Sequence, residues 1–191
     1  MNERTFHHHH HARLDAPERQ SWLSTDEVLA ALGLSRGQRI ADVGAGTGYF
    51  ARPLAQAVGP EGWVAAVDLQ PEMLALLRDK PALEGAAVLT PVLGAAHQTS
   101  LPARSFDLVF YANVWHELDD TGAALTEAKR LLAPRGRVAI LDWRTDVAKE
   151  PGPPMEHRVS EEATLAALRA AGLPASARHV GPYAYLVMTT A

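Results

Sequence analysis

The sequence predicts an α/β protein: a mostly parallel sheet covered by helices on both faces and closed by an antiparallel hairpin. Three observations carry that prediction. Short apolar runs at residues 39–43, 63–67 and 106–111 alternate with segments of helical period, the pattern of strand–helix–strand units. A glycine-rich turn, Gly44 to Gly48, joins the first run to the helix that follows. Near the end, two short apolar stretches flank Gly181-Pro182, as a hairpin requires.

The elements follow in order. Thr25-Asp26-Glu27 starts a helix whose apolar stripe is Val28, Leu29, Ala31 and Leu32, with Gly33 closing it. Arg39 to Val43 is a buried strand, and a helix is expected from about Tyr49 to Val58, stopped by Gly59-Pro60. Trp63 to Val67 is the second strand, after which Pro71 opens a helix at its favoured first-turn position. Ala87-Val88-Leu89 begins a third strand that Pro91 should interrupt, because proline removes a ladder donor. Phe106 to Tyr111 is the fourth strand, Asp119 to Leu132 a helix, and Arg137 to Leu141 the fifth strand. Lys149 to Pro154 reads as a loop, Ser160-Glu161-Glu162-Ala163 caps a helix through Ala171, and Ala177–Val180 with Tyr185–Met188 make the hairpin.

Length and composition bound the function. The 191 residues suit one domain, and 47% hydrophobic with 21% charged residues are ordinary globular values. A net charge of −4 argues against a nucleic-acid-coating surface. With no cysteine there is no disulfide, thiolate metal site or thiol nucleophile. No apolar run approaches the ~18 residues that span a bilayer, and the first residues lack a signal peptide's apolar stretch, so a cytoplasmic protein without membrane partners is expected. Residues 1–24 differ in composition and carry five consecutive histidines, His7 to His11. The run reads equally as an appended affinity tag or as a native metal-sequestering tract, and the segment is expected to be mobile and separate from a domain at 25–191.

The glycine turn is the most informative stretch. Three glycines between a strand and a helix permit a tight turn and close backbone approach to a ligand. Dinucleotide folds want G-x-G-x-x-G, but here the glycines fall at 44, 46 and 48 and the next position is the bulky Tyr49. The turn carries no basic residue and no Walker lysine. That shape suits a nucleoside lacking phosphate. Asp68, twenty residues past Gly48, can accept both hydrogen bonds of a ribose diol, or else cap the helix opened by Pro71. Asp42, just before the turn, can balance an ammonium or sulfonium.

Asp42-Val43-Gly44-Ala45-Gly46-Thr47-Gly48-Tyr49, Asp68, Phe106-Asp107-Leu108-Val109-Phe110 and the segment Leu131 to Val138 together resemble class I S-adenosylmethionine-dependent methyltransferases. The resemblance covers roughly residues 25–190 and is closest to the small members with the methyltransferase domain 11/25 pattern. Within these the chain is similar to a bacterial subgroup with a His-rich N-terminus, a Trp-His pair (Trp115-His116) and a Pro-Pro-x-Glu-His-Arg segment (Pro153 to Arg158). The resemblance implies a Rossmann-like seven-stranded sheet with the last strand antiparallel. It also implies S-adenosyl-L-methionine as cofactor, held by Asp42, Gly44, Ala45, Gly46, Gly48, Tyr49, Asp68, Leu69, Ala95 and Asn113. One departure stands out: Ala95 occupies the position where family members often place an acid against the adenine amino group, so backbone groups, His97 or Gln98 must serve there.

Methyl transfer needs orientation and exclusion of water more than covalent help. The acceptor belongs beyond the fourth strand, at Asn113-Val114-Trp115-His116-Glu117. His116 is the candidate base, Asn113 lines the transfer site or stabilises a turn, and Trp115 serves the acceptor or the core. His157 and Arg158 are expected in a lid or on the surface. Asp142 with Asn113 falls short of a hard-cation shell, and no metal is expected in the site. The expected partner is a small-molecule methyl acceptor. The alternatives are a non-catalytic adenosylmethionine-binding protein, an NAD(P)-dependent oxidoreductase, and a His-rich metal-handling protein.

Overall fold

The computed structural model describes residues 6–148 and 151–190. Lys149 and Glu150 of the predicted loop lie outside the described residues. Seven strands form one sheet: β1 Arg39–Val43, β2 Trp63–Asp68, β3 Val88–Leu93, β4 Phe106–Ala112, β5 Leu132–Trp143, β6 Ala175–Val180 and β7 Ala184–Thr189. Their order is β3-β2-β1-β4-β5-β7-β6. Neighbours pair in parallel except β7, which runs antiparallel to both β5 and β6. The predicted class, including the antiparallel last strand, is the observed one.

Among the described residues six α-helices accompany the sheet: α1 Arg19–Trp22, α2 Thr25–Leu32, α3 Ala51–Val58, α4 Pro71–Arg78, α5 Thr121–Leu131 and α6 Glu161–Ala170. Because side chains alternate along a strand, each strand feeds two cores. Ile40, Leu108, Phe110 and Leu141 pack with α2 and α3 on one face. Ala41, Val109, Tyr111 and Ile140 pack with α5 and α6 on the other. Fully burying one such aliphatic side chain contributes about 1.5–3 kcal/mol, so both layers hold the sheet. Side-chain oxygens cap three helices, accepting the Glu27 amide at Ser24 (3.3 Å), the Ala123 amide at Asp120 (2.8 Å) and the Ala163 amide at Ser160 (3.1 Å).

Several details differ from expectation, beyond small shifts at strand ends. The third helix starts at Ala51, not Tyr49, because the glycine turn continues through Phe50. Pro91 stays inside β3, which is tolerated because β3 is a margin strand with one unpaired side. The fifth helix begins at Thr121, with Asp120 as its cap. β5 begins at Leu132, directly after α5, and absorbs Pro134 and Gly136 through a register shift against Phe106 and Leu108. Among the described residues no helix is long and apolar enough to cross a membrane.

From β1 the chain runs outward to β2 and β3, then crosses back to β4 and β5 on the other side. The carboxyl ends of β1 and β4 therefore diverge into a crevice, the switch point where open α/β sheets bind ligands.

Candidate active site

The crevice is a cavity of about 930 Å³. That is near the upper end of the usual range for ligand pockets, about 300–1,000 Å³. Its floor is the glycine turn, where Gly44, Gly46 and Gly48 all have positive φ (78°, 54° and 87°). At Gly44 a side chain is excluded twice, by that φ and because a Cβ would meet Val114 at 2.6 Å. The Gly44 and Ala45 amides are donated to the Val67 carbonyl, tying the turn to β2.

Asp68, buried at the end of β2, accepts the Gly46 amide at 2.8 Å on one oxygen and the Gln70 amide at 2.9 Å on the other. The N-cap of α4 is Gln70, so Asp68 acts on the turn just before the helix and not as its cap. It organises that turn and lines the cavity. Burial raises its pKa. Asp42 is fully buried, its Oδ2 has no hydrogen-bond partner, and burial with the nearby Asp68 charge raises its pKa to about 7. Leu69 stands half-exposed at the rim. Ala95 lines the wall, but its amide and carbonyl are spent on Gln98 (3.2 and 2.9 Å), leaving Ala96 and His97 beside it on the cavity.

On the β4 side, Asn113 adopts φ 55°, a conformation that costs a non-glycine residue free energy. Its amide is donated to the Leu141 carbonyl at 2.8 Å, while both polar atoms of its buried side chain lack a partner. His116 is buried next to it. Asp142, at the end of β5, accepts both the His116 backbone amide and an Nδ1 hydrogen bond, each at 2.8 Å. Burial opposes the imidazolium, but the Asp142 charge and hydrogen bond, joined by Glu117, outweigh it and raise the His116 pKa. Glu117 receives the Phe6 amide at 3.0 Å and is raised to about 7 by burial. Asp142 also accepts the Trp143 amide at 2.8 Å, so its carboxylate ties the end of β5 to the His116 turn.

Most of the sequence-predicted set thus lines one cavity, but Gly48, Gln98, Trp115 and Arg158 do not, and a side chain at Gly48 would meet Leu77 of α4 instead. Trp115 is core, packed edge-on against Tyr111 at 5.5 Å. Arg158, expected in a lid or on the surface, instead holds a loop together: its guanidinium donates to the carbonyls of Arg144, Val147, Pro151 and Pro153. It staples the proline loop so that Pro151 to Pro154 and His157 wall the cavity.

The segment set apart at the sequence level is where expectation and structure differ most. Residues 6–24 pack on the crevice and supply Phe6, Arg13, Leu14, Arg19 and Trp22 to its lining. Asp15 accepts from Thr47 in the glycine turn (2.9 Å) and from Lys80 (2.6 Å), and Tyr49 donates its hydroxyl to the Leu23 carbonyl (2.6 Å). Arg19 lies 3.9 Å over the Tyr49 ring, with its Nε unpartnered and its pKa lowered to about 10 by burial. Trp22 leans on Trp143 at 5.4 Å, forming an aromatic wall. Arg19 and Trp22 were missed because their segment has no periodicity to mark it. Trp143 had a signal: it follows the carboxyl end of a strand flanking the switch point.

Comparison with known proteins fits this geometry. A family model described as a methyltransferase domain matches residues 41–140, just over half of the chain. A crystal structure of an S-adenosylmethionine-dependent methyltransferase from Aquifex aeolicus superposes with a TM-score of 0.90 at 31% identity, covering 97% of this chain and 98% of that one. The chain is a member of the S-adenosylmethionine-dependent methyltransferases. Among the curated relatives of this methyltransferase is the ubiquinone/menaquinone biosynthesis C-methyltransferase UbiE of Cupriavidus necator, 34% identical over 117 residues. The chain spans about half the length of the curated relatives it matches, 47% for that one against 61% of itself. The methyltransferase in a Haloferax volcanii complex with its activator Trm112 shares the fold, with a TM-score of 0.76 at 19% identity.

The residues of this methyltransferase fit the cofactor of its family. Asp42, Arg19 and Asn113 all line one cavity, and each has a buried side-chain polar atom with no hydrogen-bond partner. Unpaired buried polar groups cost about 1–3 kcal/mol each, a cost a complementary ligand removes. S-Adenosylmethionine carries an ammonium, a carboxylate and a ribose diol, groups of the kind that carboxylates and a guanidinium pair with.

Proposed function

We propose that the protein transfers a methyl group from S-adenosylmethionine to a small, apolar acceptor, with His116 as the base. The observation that carries this reading is that Asp42, Arg19 and Asn113, each with a buried polar atom that lacks a partner, line the cavity that His116 also lines. When bound, S-adenosylmethionine supplies an electrophilic methyl group. The chain's own residues supply the rest. Asp68 accepts from the ribose diol, Asp42 and Arg19 hold the charged amino-acid end, and Leu69 with Ala95 covers the base. Asn113 orients the acceptor at the boundary between the two ligands.

The Nδ1 hydrogen bond to Asp142 fixes the His116 ring and leaves Nε2 to accept the proton the acceptor loses. Asp142 is a positioning residue in this scheme. Trp22, Trp143 and the stapled proline loop keep water out. An aromatic wall suits a flat apolar acceptor, and the Cupriavidus relative is named for C-methylation in quinone biosynthesis.

Mass spectrometry of the purified protein after denaturation tests the cofactor, and a metabolite panel scored by S-adenosylhomocysteine release tests turnover. An adenosyl ligand and a responsive apolar acceptor are expected. A nicotinamide dinucleotide in place of the adenosyl ligand, or no release with any acceptor, would overturn the reading.

A further inference from the structure

The ring nitrogens of His7, His8 and His9 lie within 4.8 Å of one another on the strap that crosses the crevice. The His7 and His9 rings are parallel, with centroids 5.5 Å apart, and His8 sits against His9 at 4.1 Å. His8 is the half-buried member, and it is anchored: its backbone amide and its Nδ1 both contact Gln70 Oε1, at 3.0 and 3.3 Å. Gln70 is in turn held by Asp68 and donates to the Phe6 carbonyl at 2.7 Å. A ligating histidine needs such a partner on its other nitrogen, which fixes the tautomer and presents the free one to a metal. Phe6 and Leu14, before and after the histidines, are part of the cavity wall.

We propose that His7, His8 and His9 form a site for a borderline divalent cation such as zinc, and that filling it holds the N-terminal strap closed over the crevice. Three imidazoles and no carboxylate or thiolate select zinc, nickel or copper over magnesium or calcium. Zinc–nitrogen bonds of about 2.0–2.1 Å place ligand atoms about 3.3 Å apart, so the rings need close by only about 1.5 Å. Water completes the shell on the exposed side. Through His8 and Gln70 the site is linked to Asp68, and through Phe6 to Glu117, so strap and crevice share one hydrogen-bonded chain. A cation that binds only the closed strap favours it by mass action. The closure half of the inference rests on the proposed cofactor site; the zinc half does not.

The test uses the full chain with no added tag, zinc chloride as the only metal, and a double variant, His7→Asn with His9→Asn, that keeps His8 on Gln70. Calorimetry should show one zinc per wild-type chain. Release of S-adenosylhomocysteine should slow in the same titration, by up to about 100-fold at zinc 100 times its dissociation constant. Tryptic cleavage after the exposed Arg13 should slow in parallel. The double variant should lose all three effects while releasing S-adenosylhomocysteine at the zinc-free wild-type rate. Absence of saturable one-to-one uptake overturns the proposal. So does uptake unchanged in the double variant, which assigns the ion to His10 and His11, or zinc uptake that leaves both release and cleavage at their zinc-free rates. If S-adenosylhomocysteine binds neither with nor without zinc, the cofactor reading fails, and the calorimetry and cleavage arms still decide this one.

Discussion

At the ends of β1 and β2 the crevice is walled by the backbone of the glycine turn, with Gly44 and Gly46 left-handed and the Gly46 amide donated to Asp68. Beyond β4 and β5 it is walled by side chains: Asn113, His116 held by Asp142, Trp143 and a proline loop stapled by Arg158. The first wall suits a ligand that never changes, because backbone geometry tolerates little substitution. The second can be altered residue by residue without disturbing the sheet, which is where acceptor choice and chemistry belong.

The comparison breaks first at His116. On the side-chain wall, His116→Ala should lower turnover by about 10²–10⁴-fold while cofactor affinity by calorimetry stays near wild type. In the wild type the rate should rise with pH through a midpoint above the ordinary histidine value, since the protonated ring cannot accept a proton and Asp142 favours that form. A variant as fast as wild type, with the same pH profile, would return His116 to a structural role.

Next in size is the charge buried beneath the backbone wall. Asp42 moves from 3.8 to about 7 on folding and Glu117 from 4.5 to about 7. Between about pH 4 and 7 the folded state therefore holds more protons than the unfolded chain, and the ligand-free protein loses stability as pH rises through that window. Asp42→Asn should recover as much as about 4 kcal/mol at pH 8 and flatten the slope of melting temperature against pH, leaving the Glu117 share. An unchanged slope would mean that the Asp42 carboxyl finds a partner in solution.

Asp68→Ala should weaken S-adenosylmethionine binding by about 1.5–3 kcal/mol in calorimetry, the range for hydrogen bonds to a charged group. Equal affinities would confine Asp68 to ordering the turn. The smallest effect is expected at the seam between the strap and the backbone wall. Tyr49→Phe removes the hydrogen bond to Leu23 and should cost about 1 kcal/mol in denaturant unfolding, with the catalytic rate on saturating substrate preserved.

The same contrast explains what the sequence discloses. Glycine spacing, the acid after β2 and the strand periods are local signals, and they located Gly44, Gly46, Gly48, Asp68 and the sheet. Asp120 and Ser160 announce their helices for the same reason. The strap is stabilised by partners far away in the chain, such as Phe6 with Glu117 and Thr47 with Asp15, and nothing in its own pattern reveals them. The role of Arg158 was hidden likewise, because four carbonyls from a folded loop are invisible until the loop exists. The left-handed backbone of Asn113 is a tertiary imposition that a sequence cannot announce.

One guanidinium gathering four carbonyls also has a consequence for selectivity. To swing the proline loop outward, several charge-assisted bonds must break together, each worth about 1.5–3 kcal/mol. If the proposed acceptor binds there, this wall acts as a mould and not a flap, and it discriminates by fit. Competing acceptors that differ by a methylene at that wall are separated by about 1–3 kcal/mol, a preference of tens- to hundreds-fold without any motion of the loop.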